Sequence, residues 1–486
     1  MHCGNAGARK LLTIETVAHR LSTIPPHAPS RRSVKRPRVQ ERNEKRAGAF
    51  ARARMQGTSI VAIRIAGAGI ALLAQILAAR MLGADEFGRY SLVLVWLLVL
   101  GYAATAGSNQ LICRHVAQYR QSEDRERLAG LLRGSLASIV GVAVLLALAA
   151  VAVVSLAPLG LSRTDILLAT LAFSAVPLLA LQDYLESIAR GLDRPALGIG
   201  PAFLIRHLGI IAGLLTLLVL GEGADAITVM ALTITGLIAS ILSQFALLFR
   251  YIRVALSGVR PRYEIRAWVR TALPMVGSDV TEILLLNADI LILGLFVSPD
   301  QVALYFAATR LAQVLAYVPY GATAATAQKY AMLSAPGDRD ELQTLIGQTA
   351  TLSTVLTGVG ALALTLLAPF LLFLFGEFYV DAAPLVALLA AGIVLSCAFG
   401  PGENVLNMLG QERICSIGFL CALVVNVALN FALIPAFGLA GAAIATLTAL
   451  AFRGVLLAYF AKSRLGLVLP AFVSLAGAAV VPRRAT

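Results

Sequence analysis

The chain has 486 residues, 58% of them hydrophobic and 14% charged, with a mean hydropathy of +0.82 and a formal net charge of +14. A soluble chain carries roughly 25% charged residues, whereas the apolar runs here recur at about the 20-residue length that crosses a hydrocarbon core. A soluble enzyme and a nucleic-acid-binding domain are excluded, and the pattern is that of an all-α polytopic membrane protein.

The basicity is concentrated at the start. Residues 1–54 hold 13 Lys/Arg against three acids (Glu15, Glu41, Glu44), a net +10 that leaves +4 for the remaining 432 residues. The segment has no apolar h-region and is not a secretory signal; its polarity and prolines predict a disordered tail. Two readings stand for it: a translated basic tail that touches anionic lipid, or a start assigned too early, with Met55 directly before the first spanning run.

Apolar runs alternating with charged breaks then predict twelve transmembrane helices, near 58–79, 88–111, 129–156, 165–189, 196–220, 226–249, 272–296, 304–328, 344–374, 382–409, 414–435 and 438–461. They divide into an N-terminal six-helix lobe, 55–249, an Arg-rich linker, 250–271, and a C-terminal six-helix lobe, 272–465. Residues 466–486 form a short apolar tail. Its run Leu467–Val481, 15 residues interrupted by Pro470, is short for a span and reads either as interfacial or as a clipped thirteenth helix. If the amino terminus is cytoplasmic, the inner connections hold fifteen Lys/Arg, and the outer ones only Arg80, Arg89 and Arg163. The positive-inside rule therefore predicts that orientation.

The two lobes resemble each other. The stretch from Leu82 to Tyr90 lines up with Val297 to Tyr305 at an offset of 215, Asp124–Leu128 with Asp338–Leu342 at 214, and Gly191–Arg194 with Gly410–Arg413 at 219. Each match falls at the same connection of its half. Six helices per half is an even number, so both halves run the same way, which predicts a parallel repeat about an axis along the membrane normal, with a substrate path between lobes that rock.

Charges inside apolar runs cost roughly 2.5–3.5 kcal/mol at the bilayer centre and so must face protein or a wet cavity. In the seventh predicted helix, Asp279, Glu282 and Asp289 stand at i, i+3 and i+10, within about an 80° sector of a continuous helix. They line a central cavity or form buried structural pairs. In the eighth, Arg310 shares a stripe with Gln313, Tyr317 and Tyr320, at a depth that would pair Arg310 with Asp289. Arg64 in the first helix falls 215 positions before Asp279; the two close the cytoplasmic side across the repeat axis, or Arg64 snorkels to headgroups. Further candidates are Arg206 and His207, the latter a titratable group in a proton-coupled carrier or a plain satisfied polar side chain, together with Asp183, Glu186, Glu403 and Arg453. Asn426 and Asn430 are expected to bond a neighbouring helix. No catalytic group, metal or cofactor is expected: Cys3, Cys113, Cys397, Cys415 and Cys421 form no CxxC, and the short outer connections leave no room for a catalytic domain.

Ala79-Arg-Met-Leu-Gly83-Ala-Asp85-Glu-Phe-Gly88-Arg-Tyr90 resembles the end-of-first-helix pattern of oligosaccharide (O-antigen type) flippases of the multidrug/oligosaccharidyl-lipid/polysaccharide (MOP) superfamily. Asp289 to Gly294 with Tyr305 and Arg310, Phe375-Gly-Glu377-Phe-Tyr379, and Leu433 to Gly441 resemble the second half of the same pattern. The resemblance runs from about Met55 to Leu465. It implies an alternating-access carrier of a polyprenyl-diphosphate-linked oligosaccharide in the bacterial inner membrane, acting in polysaccharide biosynthesis, with polysaccharide polymerase and other assembly proteins as candidate partners and no nucleic acid. Arg64, Arg206, Arg310 and Arg453 would supply positive charge to the anionic head, Asp279 and Glu282 gating or cavity carboxyls, and Asp289, His207 and Glu403 structural or ion-coupling groups. The acidic seventh helix keeps an alternative open, a multidrug or organic-cation exporter of the same superfamily. A membrane glycosyltransferase is the remote third.

Overall fold

The computed structural model describes residues 38–158, 160–333 and 339–473. Residues 1–37 of the basic tail, and 474–481 of the C-terminal apolar run, lie outside the described residues. Residues 38–54 belong to a unit of their own and have helical backbone where the sequence predicted disorder. Their Arg, Glu, Gln and Ala content, with Glu41 four residues before Lys45, favours a local helix.

The body, Met55 onward, is helical, and no strand occurs among the described residues. Nine described helices are long and apolar enough to cross a membrane. Two of them are double. Ile60–Thr105 has non-helical backbone at Gly83 (φ 74°, ψ 173°), and Gln75 and Leu97, on either side of it, line one cavity, so the chain folds back there. Glu412–Leu465 folds back at Gly438 (φ 55°, ψ −131°), bringing the Arg453 guanidinium to 5.0 Å from the Phe419 ring. Glycine takes the positive φ of these one-residue turns without the clash a Cβ would bring. A further span is split between Ile265–Leu285 and Ala288–Phe296. The result is the twelve-helix arrangement: α1 (60–82), α2 (84–105 and Ser108–Gln121), α3 (Arg125–Leu156), α4 (Arg163–Gly191), α5 (Pro195–Leu220), α6 (Ala226–Leu256), α7 (Ile265–Leu285 and Ala288–Phe296), α8 (Pro299–Gln313 continuing through Tyr317–Met332), α9 (Arg339–Phe373), α10 (Glu377–Met408), α11 (412–437) and α12 (439–460).

The packing repeats with the sequence. In the first six helices α4 lies against α2, α3 and α6; in the second six α10 lies against α8, α9 and the α11–α12 pair. At the outer ends the two sets meet through the motif residues. Fully buried Phe87 stacks edge-on with Phe306 (5.8 Å) and Tyr379 (6.1 Å), and the Arg80 guanidinium donates to the carbonyls of Leu374 (2.6 Å) and Phe373 (2.8 Å). Gly88 is required here: a Cβ on it would fall 1.7 Å from the Pro299 carbonyl oxygen. On the outer surface, Arg89 pairs with Asp165 (2.6 Å) and Asp85 (2.8 Å). Asp225 caps α6 by accepting the Thr228 N–H at 2.8 Å, and its bonds from Thr228 hold its carboxyl below the usual range.

At the inner ends the linker is tied to the first six helices. Arg127 pairs with Glu264 at 2.9 Å, and the Arg262 N–H donates to the Glu126 carbonyl at 3.0 Å. The described chain after Leu465 is not helical as far as residue 472. Leu467, Leu469 and Ala471 are buried; Val468 exchanges two hydrogen bonds with the Gln343 side chain (2.7 and 2.9 Å), and Ala471 N–H donates to the Ala398 carbonyl at 2.9 Å. Buried non-helical backbone needs such partners, and the break of α10 around Gly400 (φ 85°) frees the Ala398 carbonyl to supply one.

Candidate functional site

Two cavities lie on either side of α8, which lends Gln313 to both. The first, about 240 Å³, is walled by α1, α2, α4, α5, α6 and α8, and its polar lining is Gln75, Tyr90, Arg206, His207, Thr233, Arg310, Gln313 and Tyr317. No acid is among its lining residues. The second, about 680 Å³, lies within the second six helices and is lined by Glu282, Asp289, Thr309, Tyr320, Ser396, Glu403, Asn404, Thr446 and Arg453 among others.

Arg310 is the central group of the first cavity. One guanidinium nitrogen, Nη1, donates to the Gln313 side-chain oxygen at 2.9 Å, and the Phe306 ring supports the cation at 4.3 Å. Its Nε and Nη2 are buried and have no hydrogen-bond partner. Two N–H vectors of a planar cation are therefore available to a ligand, in the fork geometry that matches phosphate or carboxylate oxygens. Arg206 lines the same cavity and, among the described residues, forms no ion pair within 4 Å. His207 Nδ1 donates to the Phe203 carbonyl (2.9 Å), which is the satisfied-polar reading.

Helix α7 departs most from its predicted form. The helix ends at Leu285, Asn287 leaves the helical conformation (φ −137°, ψ −5°), and its side chain donates back to the Ile283 carbonyl at 2.9 Å. Asp289 is thus taken out of the sector built from continuous helical spacing, whereas Asp279 and Glu282 keep their i, i+3 spacing on one helix, and the three acids have different neighbours. Asp279 accepts the Gly107 N–H of α2 at 2.9 Å. Glu282 faces the second cavity. Asp289 is 5% exposed and accepts from Tyr305 Oη (2.7 Å), Thr446 Oγ1 (3.2 Å) and the Ile290 N–H (2.9 Å).

Two expected pairs are therefore replaced by other contacts. Asp289 and Arg310 form no ion pair within 4 Å: hydroxyls satisfy the acid, and Gln313 with Phe306 holds the arginine. Arg64 does not meet Asp279. Its guanidinium lies 5.5 Å from the Phe203 ring and 5.4 Å from the Tyr320 ring, so it touches both six-helix sets by cation–π contact, a geometry worth about 0.5–2 kcal/mol according to its desolvation. Arg453 lies over Phe419 and donates to Ser396 at 3.4 Å, while Glu403 sits on the short helix Gly402–Met408 and lines the same cavity. Asn430 bonds Asn426 of its own helix (3.1 Å), and not a neighbouring one. Among the described residues no group of three His, Cys, Asp or Glu has the spacing to hold a metal ion, and the described cysteines are free.

Sequence reasoning found the charged members of both cavities because charge stands out in an apolar run. It missed Thr233, Thr446 and the Gly107 N–H. Tyr90 Oη and Thr233 Oγ1 are 2.9 Å apart and buried. The signal for the two threonines lay in the repeat: Tyr90 and Tyr305 align at 215 positions, and Thr233 and Thr446 stand 213 apart.

Comparison with known proteins agrees with this architecture. The family model described as "Polysaccharide biosynthesis protein" matches residues 55–326, and the MatE model matches residues 274–432. No curated protein matches the chain. Among solved structures, a multidrug resistance MATE family transporter of the MOP superfamily, in an inward-facing conformation, superposes with a TM-score of 0.69 at 16% identity, covering 85% of this chain and 98% of that one. The lipid II flippase MurJ, inward closed, gives 0.66 at 14% identity, covering 83% and 87%. An outward-facing MATE transporter gives 0.57 at 15% identity, covering 85% and 95%.

Proposed function

The chain belongs to the polysaccharide biosynthesis protein family of the MOP superfamily, and on that premise we propose that it is a lipid-linked oligosaccharide flippase. It moves a polyprenyl-diphosphate-linked glycan from the cytoplasmic to the periplasmic leaflet of the bacterial inner membrane. The two six-helix lobes, 55–249 and 272–465, rock about the linker 250–271, opening the path to each side in turn. The reading is one of transport and not of catalysis, and it makes the enzymes that assemble and polymerise the glycan natural partners.

The observation that carries it is Arg310. A diphosphate brings several anionic oxygens, and Arg310 offers two buried, unpartnered guanidinium nitrogens to a cavity whose other charged wall group is Arg206. A buried N–H without an acceptor costs about 1–3 kcal/mol, and the oxygens of a diphosphate would supply the acceptors that Arg310 Nε and Nη2 do not find among the described residues. The polyprenyl tail needs no pocket because the bilayer accommodates it. The sealed outer ends, with Phe87, Phe306 and Tyr379 in contact, suit a form that loads from the cytoplasmic side.

One set of residues favours a second reading. Glu282, Asp289 and Glu403, all within the residues matched by the MatE model, line the second cavity, and three carboxyls suit an organic cation. A deletion strain separates the two. Accumulation of lipid-linked oligosaccharide in membranes, with loss of surface glycan and rescue by the gene, is the expected result. No accumulation, with raised sensitivity to cationic drugs, would transfer the assignment to an exporter.

A further inference from the structure

The second cavity carries hydrogen-bonding groups of both kinds, and most of them are idle. Glu282 enters it from α7, Glu403 and Asn404 from the short helix Gly402–Met408, Ser396 from the part of α10 before the break, and Arg453 from α12. Among the described residues the side chains of Glu282, Glu403 and Asn404 form no hydrogen bond, and neither acid has an ion pair within 4 Å. Arg453 makes one long bond, to Ser396 at 3.4 Å, and lies over the Phe419 ring. Asp289 differs from the other two acids, because Tyr305, Thr446 and the Ile290 N–H already occupy its oxygens.

Idle donors among idle acceptors suit hydroxyl groups. A sugar hydroxyl donates one hydrogen bond and accepts others, so carboxylate oxygens take its proton side while the Arg453 guanidinium and the Asn404 amide serve its lone pairs. An organic cation would use the acids alone and would be repelled by Arg453. The volume of about 680 Å³ falls in the roughly 300–1,000 Å³ range of small-molecule sites. Leu389 and Ile393 add an apolar wall for the C–H face of a sugar ring. The anion-binding fork is adjacent, since Gln313 lines both cavities and accepts from Arg310 Nη1 at 2.9 Å. A phosphate held on Arg310 and a sugar in the second cavity are therefore one side chain apart. The same lining also excludes: three carboxyls against one arginine repel a sugar that brings its own carboxylate, and water screens that repulsion little in an enclosed site.

We propose that the second cavity is the glycan subsite, and that Glu282 and Glu403 select a cargo whose lipid-proximal sugar is uncharged over one whose lipid-proximal sugar is a uronic acid. The inference rests on the flippase reading and names the substrate class within it. One cargo is held by two cavities of opposite charge, its diphosphate by Arg310 and its first sugar by the carboxylates across Gln313. Discrimination then comes as much from the sugar that is repelled as from the one that is bound.

Binding of four polyprenyl-diphosphate lipids to the full chain in nanodiscs of zwitterionic lipid tests this. One lipid has no sugar, and the others carry a neutral N-acetylhexosamine, a hexuronic acid, and the methyl ester of that acid. Wild type should bind the neutral sugar about tenfold or more tightly than the uronic acid, and the methyl ester should regain most of the loss. Glu282→Gln and Glu403→Gln, each isosteric, should each narrow the gap between neutral sugar and uronic acid to about threefold. Equal affinity of wild type for the uronic acid and its ester overturns the proposal, and that comparison needs no variant to fold. A gap left unchanged by both substitutions overturns it as well. Binding of the sugar-free diphosphate with no discrimination among sugars removes the subsite and leaves the flippase reading standing. If the sugar-free lipid does not bind either, the flippase reading falls and the subsite with it.

Discussion

The two halves put a tyrosine and a threonine at the same place and then part company. In the first half Tyr90 and Thr233 share a hydrogen bond of 2.9 Å. In the second, Tyr305 and Thr446 both donate to Asp289. The residue 215 positions before Asp289 is Ala74, which lines the first cavity and is 3% exposed. A common scaffold therefore carries opposite charge. The first cavity has Arg206 and Arg310 and no acid, whereas the second has Glu282, Asp289 and Glu403 against Arg453. Helix packing is what the repeat retains; the charge of each cavity is what individual positions change, 74 and 289 among them.

Removing the cation of the first cavity should have the largest effect. Arg310→Ala deletes the unpartnered fork, and hydrogen bonds to charged groups are worth about 1.5–3 kcal/mol, so transport should fall roughly ten- to hundredfold. Arg310→Lys should recover part of it, since a point charge remains but the bidentate geometry does not. The check is the initial rate of lipid-linked oligosaccharide translocation in proteoliposomes at equal protein. Ala74→Asp erases the difference between the halves from the other direction. It introduces a carboxyl beside Tyr90 and Thr233 in the cavity of Arg310, and should reduce transport about tenfold by occupying the cation while the amount of folded protein stays within twofold of wild type. Full transport by Ala74→Asp would show that the charge of this cavity is irrelevant.

Asp289→Ala attacks the other half and should act on folding. It strands the fully buried Tyr305 hydroxyl, at about 1–3 kcal/mol, and should lower the yield of monodisperse protein on size-exclusion chromatography. Asp289→Asn, which can still accept from Tyr305, should restore most of that yield.

How much of this was legible follows from the same contrast. Twelve spans could be read because twenty apolar residues have few other fates, and the six-plus-six division followed from three offsets in the loops. The breaks were not legible. Asn287 interrupts α7 inside an otherwise apolar run, and its effect depends on its side chain turning back to the Ile283 carbonyl, which no spacing rule reveals. That one break separated Asp289 from the face that helical periodicity had given it in common with Asp279 and Glu282. Charged site residues were found, but their partners were misassigned: Arg64 faces rings and Asp279 faces a main-chain N–H. Aromatic faces and free backbone donors exist at too many positions for a sequence to single one out. The glycine turns at Gly83 and Gly438 were hidden for a related reason, since glycine is also common where transmembrane helices merely pack closely.

The smallest effect should come from the shared threonines, and it tests whether the halves differ in strength as well as in sign. Thr233→Val removes one hydroxyl from a neutral pair; interhelical hydrogen bonds in membranes average about 0.6 kcal/mol. Thr446→Val removes a donor to a carboxyl that already has Tyr305 and the Ile290 N–H, so its cost should lie nearer the upper bound of about 1.7 kcal/mol if those three donors share one stretched charge, and no higher than Thr233→Val if Asp289 carries a proton. Unfolding midpoints in mixed detergent resolve the two variants. Equal midpoints would mean that Asp289 is neutral in the folded protein, so that the second half differs from the first by a hydrogen-bond acceptor and not by a charge.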